Sequence, residues 1–215
     1  MNTCVVSTAG LSRKHAAVMF ADVVGYARLM EQDEDGTHAA LSRLRARTLE
    51  PLVQRYRGRI VHVAGDGLLV IFASASDALE CAVGIQRATL EFGATNLGIG
   101  PIRFRIGINF AEILIDEVEV AGTGVNIAAR LEALADAGGI SVSQAFVDQV
   151  GERVGVEFID DGLRWVKNIS RPVHVFHVAP ARSARVQVKR RRSGDSGDNS
   201  WWKTMGLGAP VASRV

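Results

Sequence analysis

Two apolar runs of strand length, Arg59-Ile60-Val61-His62-Val63-Ala64 and Leu68-Leu69-Val70-Ile71-Phe72, flank Gly65-Asp66-Gly67. Gly and Asp tolerate the positive φ a tight reversal needs, so the stretch predicts a β-hairpin with Asp66 at its tip. That commits the fold to antiparallel pairing. Upstream, Ala16 to Phe20 reads as a buried strand that ends on Asp22 and passes through Val23, Val24 and Gly25 into a helix starting at Tyr26. Backbone N–H groups left open at a helix start attract anions. A carboxylate beside them offers hard oxygen to Mg²⁺. Each signal has a plainer alternative: Asp22 as a helix N-cap, Asp66 as a turn residue.

The rest of the chain alternates helices and strands. The sequence predicts a short helix from Tyr26 to Met30, an acidic loop from Glu31 to Gly36, and a long helix from about Thr37 to Tyr56. In that helix Leu41, Leu44, Leu49, Leu52 and Val53 recur at helical spacing, with Arg43, Arg45, Arg47 and Arg55 as solvated charges. After the hairpin come a helix from Ser76 to Phe92 and a glycine-rich loop from Gly93 to Pro101. A strand from Arg103 to Asn109 pairs with one from Ala111 to Ile115, and a loop from Asp116 to Gly124 leads into a helix from Val125 to Ala137. Then follow strand Ile140 to Ser143, helix Gln144 to Val150, a hairpin near Gly162 and a last strand from Val173 to Val178. The fold class is α+β.

A third cluster is Gly122-Thr123-Gly124-Val125-Asn126-Ile127-Ala128-Ala129-Arg130-Leu131-Glu132, where Asn126 and Arg130 share a helix face. With the Asp22 turn, the Asp66 hairpin, Arg103-Phe104-Arg105-Ile106-Gly107-Ile108-Asn109 and Val166-Lys167-Asn168-Ile169, it resembles the catalytic domain of class III adenylate and guanylate cyclases from about Ala16 to Val178. The resemblance implies a ferredoxin-like core, with a mixed, mostly antiparallel sheet and helices packed on it. It implies conversion of ATP to 3′,5′-cyclic AMP with two Mg²⁺ (or Mn²⁺) per site. Asp22, Asp66 and the Val23 carbonyl would be the metal ligands. Amides of Val24, Gly25 and Tyr26 would meet the triphosphate. Arg130 would stabilise charge on the reacting phosphate, Asn126 would orient the ribose, and Arg105 and Lys167 would contact the pyrophosphate end. The plainer readings are a strand-end charge for Arg105 and a turn residue for Lys167. The family shares each site between protomers, which implies a homodimer.

Two positions depart from the adenylate cyclase pattern. His62 stands where a base-reading Lys is expected, and Glu119 where an Asp is expected. No lysine lies between Lys14 and Lys167 to substitute. An imidazole can donate and a carboxylate accept, so adenine can still be met, but the pair also suits guanine O6 and N1–H. The alternatives are a relaxed or GTP-preferring cyclase and a non-catalytic nucleotide-binding homologue. His62 could instead make a local strand hydrogen bond, and its alternation with Ile60 and Ala64 predicts one shared face. Glu119 could be one more charge in an acidic run.

Charge divides the chain. Residues 180–215 carry eight Lys and Arg against two Asp, while the remainder is net −4. The expected organisation is a short N-terminal segment (1–14), a catalytic domain (15–179) and a basic tail (180–215) whose composition reads as disordered. The tail could make weak contact with an anionic surface, but basic and aromatic residues do not gather on the domain as sequence-specific nucleic-acid binding requires. No apolar run approaches the ~20 residues that span a bilayer. Cys4 and Cys81 make no disulfide framework, Cys81 reads as a small core residue, and the expected compartment is the cytoplasm.

Overall fold

The computed structural model describes residues 12–95, 102–115, 119–151, 155–180 and 188–190. Among them, nine strands form one mixed sheet, antiparallel except where β4 meets β6 and β7 meets β9. The strands are β1 (Ser12–Val23), β2 (Arg59–Ala64), β3 (Gly67–Phe72), β4 (Phe104–Ile115), β5 (Val120–Ala121), β6 (Ile140–Ser143), β7 (Val156–Arg164), β8 (Val173–Pro180) and β9 (Val188–Arg190). The helices are α1 (Tyr26–Gln32), α2 (Glu34–Leu44), a π-helical turn (Arg45–Leu49), α3 (Glu50–Arg55), α4 (Ala75–Thr95), α5 (Thr123–Leu134) and α6 (Gln144–Val150). The order β2-β3-β1-β4-β6-β8-β7-β9, with β5 on β4, is the mostly antiparallel α+β architecture expected.

Alternation along β1 divides the core. Ala17, Met19, Ala21 and Val23 face a large cluster with α2, α3, α4 and α6. That layer buries Phe72, Phe104, Phe146 and Phe158 almost completely, each contributing about 1.5–3 kcal/mol. Cys81 lies within it, and burial pushes its thiol up to about 12. Ala16 and Val18 face a smaller cluster on the other side, covered by Val125 and Ala128 of α5.

The seat of α5 is unusually close. A Cβ on Gly107 would overlap the amide nitrogen of Glu132 and the carbonyl oxygen of Ala128. Near the other end of α5, buried Asn109 donates through Nδ2 to the Gly124 carbonyl (3.0 Å) and accepts from Ser143 Oγ (2.7 Å). Backbone meets backbone at Gly107, so no rotamer change can make room.

Several expected boundaries change. β4 is one strand through Phe110, not two pairing with each other, because β1 is equally long and offers a partner from Ser12↔Ile115 to Val23↔Phe104. The acidic run 31–36 is helical on both sides of an extended Asp33, whose carboxylate accepts from the Gly36 N–H (2.9 Å) and caps α2, whose first turn carries Glu34 and Asp35, as the dipole favours. Gly162 is not a hairpin tip but part of a bulge in β7, and the reversal between β7 and β8 lies at Lys167-Asn168, with Asn168 at φ 63°. α4 extends to Thr95, and α5 starts at Thr123 and ends at Leu134. Residues 188–190 of the expected tail pair with β7, while Cys4, the loop at 96–101 and most of 181–215 lie outside the described residues. No helix among the described residues is long and apolar enough to cross a membrane.

Replacing Gly107 by Ala is expected to destabilise the fold by about 1–3 kcal/mol, lowering the melting temperature by about 2–12 °C. Thermal unfolding followed by circular dichroism measures it; an unchanged melting temperature would mean that α5 can lift off the sheet freely.

Candidate active site

Asp22 is the penultimate residue of β1 and sits directly opposite Arg105 of β4. Side chains opposite each other in an antiparallel pair share a face, and for these two it is the face that α5 covers. Arg105 Nη2 donates to Asp22 Oδ2 at 3.1 Å. The guanidinium also lies against Glu132 of α5, with Nε and Oε1 2.9 Å apart. The two atoms meet as an ion pair, and neither makes an aligned hydrogen bond. Glu132 closes the 122–132 sequence cluster, and its spacing alone gives it no role in the site. Its signal was its place two residues after Arg130, which turns it to the opposite side of the helix.

The chain leaves β1 through Gly25, whose φ of 69° lies in the left-handed region, where glycine avoids the Cβ penalty. No side chain caps α1, so Asp22 is not its N-cap. One expected phosphate donor is corrected: the Val24 N–H already donates to the Arg103 carbonyl at 2.8 Å, because the β1–β4 pairing continues one residue past the strand. Gly25 and Tyr26 remain at the helix entrance. Val23 closes the strand opposite Phe104.

Asp66 occupies the turn between β2 and β3, and the structure brings it beside Asp22. Partial burial pushes its carboxyl above the usual range and the Asp22 carboxylate adds to the rise, while a backbone hydrogen bond and Arg105 oppose it. Burial likewise raises Glu132, with Arg105 opposing and Asp22 and Asp66 adding. The turn is held from outside: Arg45 Nη2 donates to the Gly65 carbonyl at 2.8 Å. Arg45 is thus a support of this loop rather than the solvated charge its helical position suggested.

Two neighbouring carboxylates, partly buried and mutually repelling, fit a divalent cation. Among the described residues no set of three or more His, Cys, Asp and Glu side chains is arranged to hold a metal. A pair of carboxylates suits Mg²⁺, which keeps waters and takes substrate phosphate oxygens as further ligands.

A second group assembles elsewhere. Asn126 is exposed on α5. Arg130 donates through Nε to the Lys167 carbonyl at 3.2 Å, which joins α5 to the β7–β8 turn. Among the described residues no hydrogen bond or ion pair links Asn126, Arg130 or Lys167 to Asp22, Asp66 or Arg105.

His62 needs a correction of face. A bulge between Ile60 and His62 puts Ile60 opposite Val70 and His62 opposite Leu69. Val70 belongs to the large cluster and Leu69 to the small one. The extra residue, Val61, therefore turns His62 away from Ile60 and onto the face that carries Asp22. Glu119 is exposed immediately before β5, and β3, β1 and β4 separate β5 from β2 in the sheet.

The profile of the adenylate and guanylate cyclase catalytic domain matches residues 11–176. A putative adenylate cyclase 3 from Rhizobium meliloti is 43% identical over 175 residues, covering 81% of this chain and 30% of that protein. An adenylate cyclase from Streptomyces coelicolor is 31% identical over 137 residues, covering 64% of this chain and 34% of its own length. The chain thus spans about a third of these relatives. Among solved structures, an adenylate/guanylate cyclase/hydrolase from Silicibacter pomeroyi aligns with a TM-score of 0.73 at 37% identity, covering 79% of this chain and 99% of that one. The guanylyl cyclase Cya2 aligns at 0.71 with 26% identity, covering 80% and 95%.

The raised Asp66 carboxyl gives a stability prediction. A carboxyl whose folded pKa is raised costs stability once pH exceeds its unfolded value, near 3.8, and costs nothing where both states are protonated. Asp66→Asn is therefore expected to raise the melting temperature at neutral pH, with the gain shrinking to nothing as pH falls below about 3.8. Melting curves across pH without divalent metal measure it, and a loss of stability at pH 7 would contradict the crowding of the two carboxylates.

Proposed function

The chain belongs to the adenylate and guanylate cyclase catalytic domain family, and from that premise we propose that it converts ATP to 3′,5′-cyclic AMP and pyrophosphate. The observation that carries the reading is the adjacency of Asp22 and Asp66. In the reaction the ribose 3′-oxygen bonds to the α-phosphorus, the bond from that phosphorus to the pyrophosphate oxygen breaks, and the hydroxyl proton passes to solvent. Two Mg²⁺ or Mn²⁺ bound by Asp22, Asp66 and the Val23 carbonyl would supply activation of the hydroxyl and charge neutralisation of the leaving phosphates. The chain's own part is positioning and electrostatics, which dominate phosphoryl-transfer-type catalysis. The amides of Gly25 and Tyr26 bind phosphate oxygens at the α1 entrance. Arg105 and Lys167 neutralise the pyrophosphate end, Arg130 stabilises the charge that builds on the α-phosphate, and Asn126 holds the ribose.

Arg130 engages the β7–β8 turn and makes no hydrogen bond or ion pair with Asp22 or Asp66 among the described residues, which supports a site shared between two copies. In a C₂ homodimer, each protomer's carboxylates would face the other's α5 and β7–β8 turn. His62 and Glu119 would read the base. The Val61 bulge, which brings His62 to the site face, supports its part, and the adenylate cyclase relatives favour adenine. The same donor and acceptor also suit guanine, so GTP is the second substrate to test.

Purified protein is expected to form cyclic AMP from ATP with Mg²⁺ or Mn²⁺, and Asp22→Asn to lose at least about 100-fold in turnover while remaining a folded dimer. Mixing two inactive variants, Asp22→Asn and Arg130→Ala, should restore about a quarter of wild-type activity, because half of the dimers would then carry one intact site. No recovery on mixing would rule out shared sites. His62→Lys is expected to raise turnover of ATP relative to GTP, and an unchanged ratio would remove His62 from base reading.

A further inference from the structure

The metal-and-phosphate reading leaves one contact unexplained. Arg105 Nε and Glu132 Oε1 are 2.9 Å apart, yet both are buried atoms without an aligned hydrogen bond. Buried polar atoms left in that condition call for a reason beyond stability. The contact exists because α5 lies directly on Gly107, two residues beyond Arg105 on the same face of β4, so the fold presses Glu132 against this guanidinium. Arg105 meanwhile holds Asp22 Oδ2 at 3.1 Å. The Asp22 side chain is 29% exposed and that of Glu132 only 14%.

A divalent cation that binds Asp22 competes with Arg105 for the same carboxylate. Held by Asp22 alone, the guanidinium would either obstruct the cation or, once displaced, swing into solvent. Glu132 supplies a second anion, set back from the open side of the site, on which Arg105 can settle. We propose that Glu132 is a positioning residue: it takes over Arg105 when a divalent cation claims Asp22, and keeps the guanidinium at the edge of the site, facing the outer phosphates of the nucleotide. This rests on the cyclase reading and extends it to a residue outside the metal and substrate set.

The test measures Mn²⁺ binding to the purified full chain without nucleotide, by the electron paramagnetic resonance signal of free Mn²⁺, together with KM and kcat for ATP. Glu132→Gln is expected to weaken Mn²⁺ binding about tenfold, as loss of a residue that orients a metal site's surroundings does, and to raise KM for ATP more than it lowers kcat. Arg105→Gln is expected to tighten Mn²⁺ binding, because the competing cation is gone, while raising KM. In the Arg105→Gln background, Glu132→Gln should change Mn²⁺ affinity by less than about twofold, since its effect runs through Arg105. An equal loss in both backgrounds would make Glu132 a simple source of negative charge and overturn the proposal, as would wild-type Mn²⁺ affinity in Glu132→Gln.

Each single variant leaves a charge without its partner, whereas the double variant removes both and so carries the folding control. Glu132→Asp keeps the charge and loses reach. It is expected to share the raised KM of Glu132→Gln, and a wild-type KM would overturn the positioning role even if Glu132→Gln does not fold. If the wild-type chain neither binds Mn²⁺ nor forms cyclic product, the cyclase reading and this inference fall together. If it does both and the Glu132 variants match it, only this inference falls.

Discussion

Two carboxylates held side by side, partly out of water, repel each other, and the site is organised around that repulsion. β1 runs antiparallel between β3 and β4, which brings the end carrying Asp22 next to the turn carrying Asp66 on one flank and to Arg105 on the other. Arg105 offsets part of the repulsion, and the remaining excess of negative charge is what a divalent cation would relieve. The fold therefore holds the pair at some cost to its own stability, an arrangement found at functional sites more than in cores.

Holding such a pair requires rigid surroundings, and contacts made to the main chain contribute to them. Asn109 and Gly107 fix α5 at both ends of its contact with the sheet. Arg45 ties the Gly65 carbonyl from across the other layer. The continuation of β1–β4 pairing to the Val24 amide stiffens the exit from the strand. Each is a hydrogen bond or steric contact to main chain, so the loops bearing Asp22 and Asp66 inherit the order of the sheet instead of behaving as free surface turns.

The sequence made most strands and the two Asp turns legible because short apolar runs bounded by Gly or Asp are local signals, but it placed β5 inside a loop and β9 inside the tail. The strand Ile140–Ser143 and the helix Gln144–Val150 were legible to the residue. What it concealed was decided at a distance. The unbroken β4 depends on the length of β1. The face of His62 depends on one extra residue, Val61, whose effect appears only against the register of β3. The partners of Arg45 and Glu132 are set by contacts between elements far apart in the chain, and the occupied Val24 amide by a carbonyl 79 residues away. Spacing rules describe neighbours along a helix or strand, and none of these pairs are neighbours in that sense.

The geometry of α5 connects these observations. Glu132 lies on its sheet side against Arg105, while Asn126 and Arg130 point elsewhere, Arg130 to the β7–β8 turn. Residues two apart on a helix lie about 200° apart around its axis, so one rigid segment serves two opposite directions. In the proposed homodimer those directions lead to different sites: Glu132 to the carboxylates of its own protomer, Arg130 to the nucleotide held by the other. Any shift of α5 that follows the exchange of Arg105 between Asp22 and Glu132 would be felt at the second site without an intermediary. The tight seat at Gly107 limits such a shift to a small one, but positioning catalysis is sensitive to displacements on the order of 1 Å.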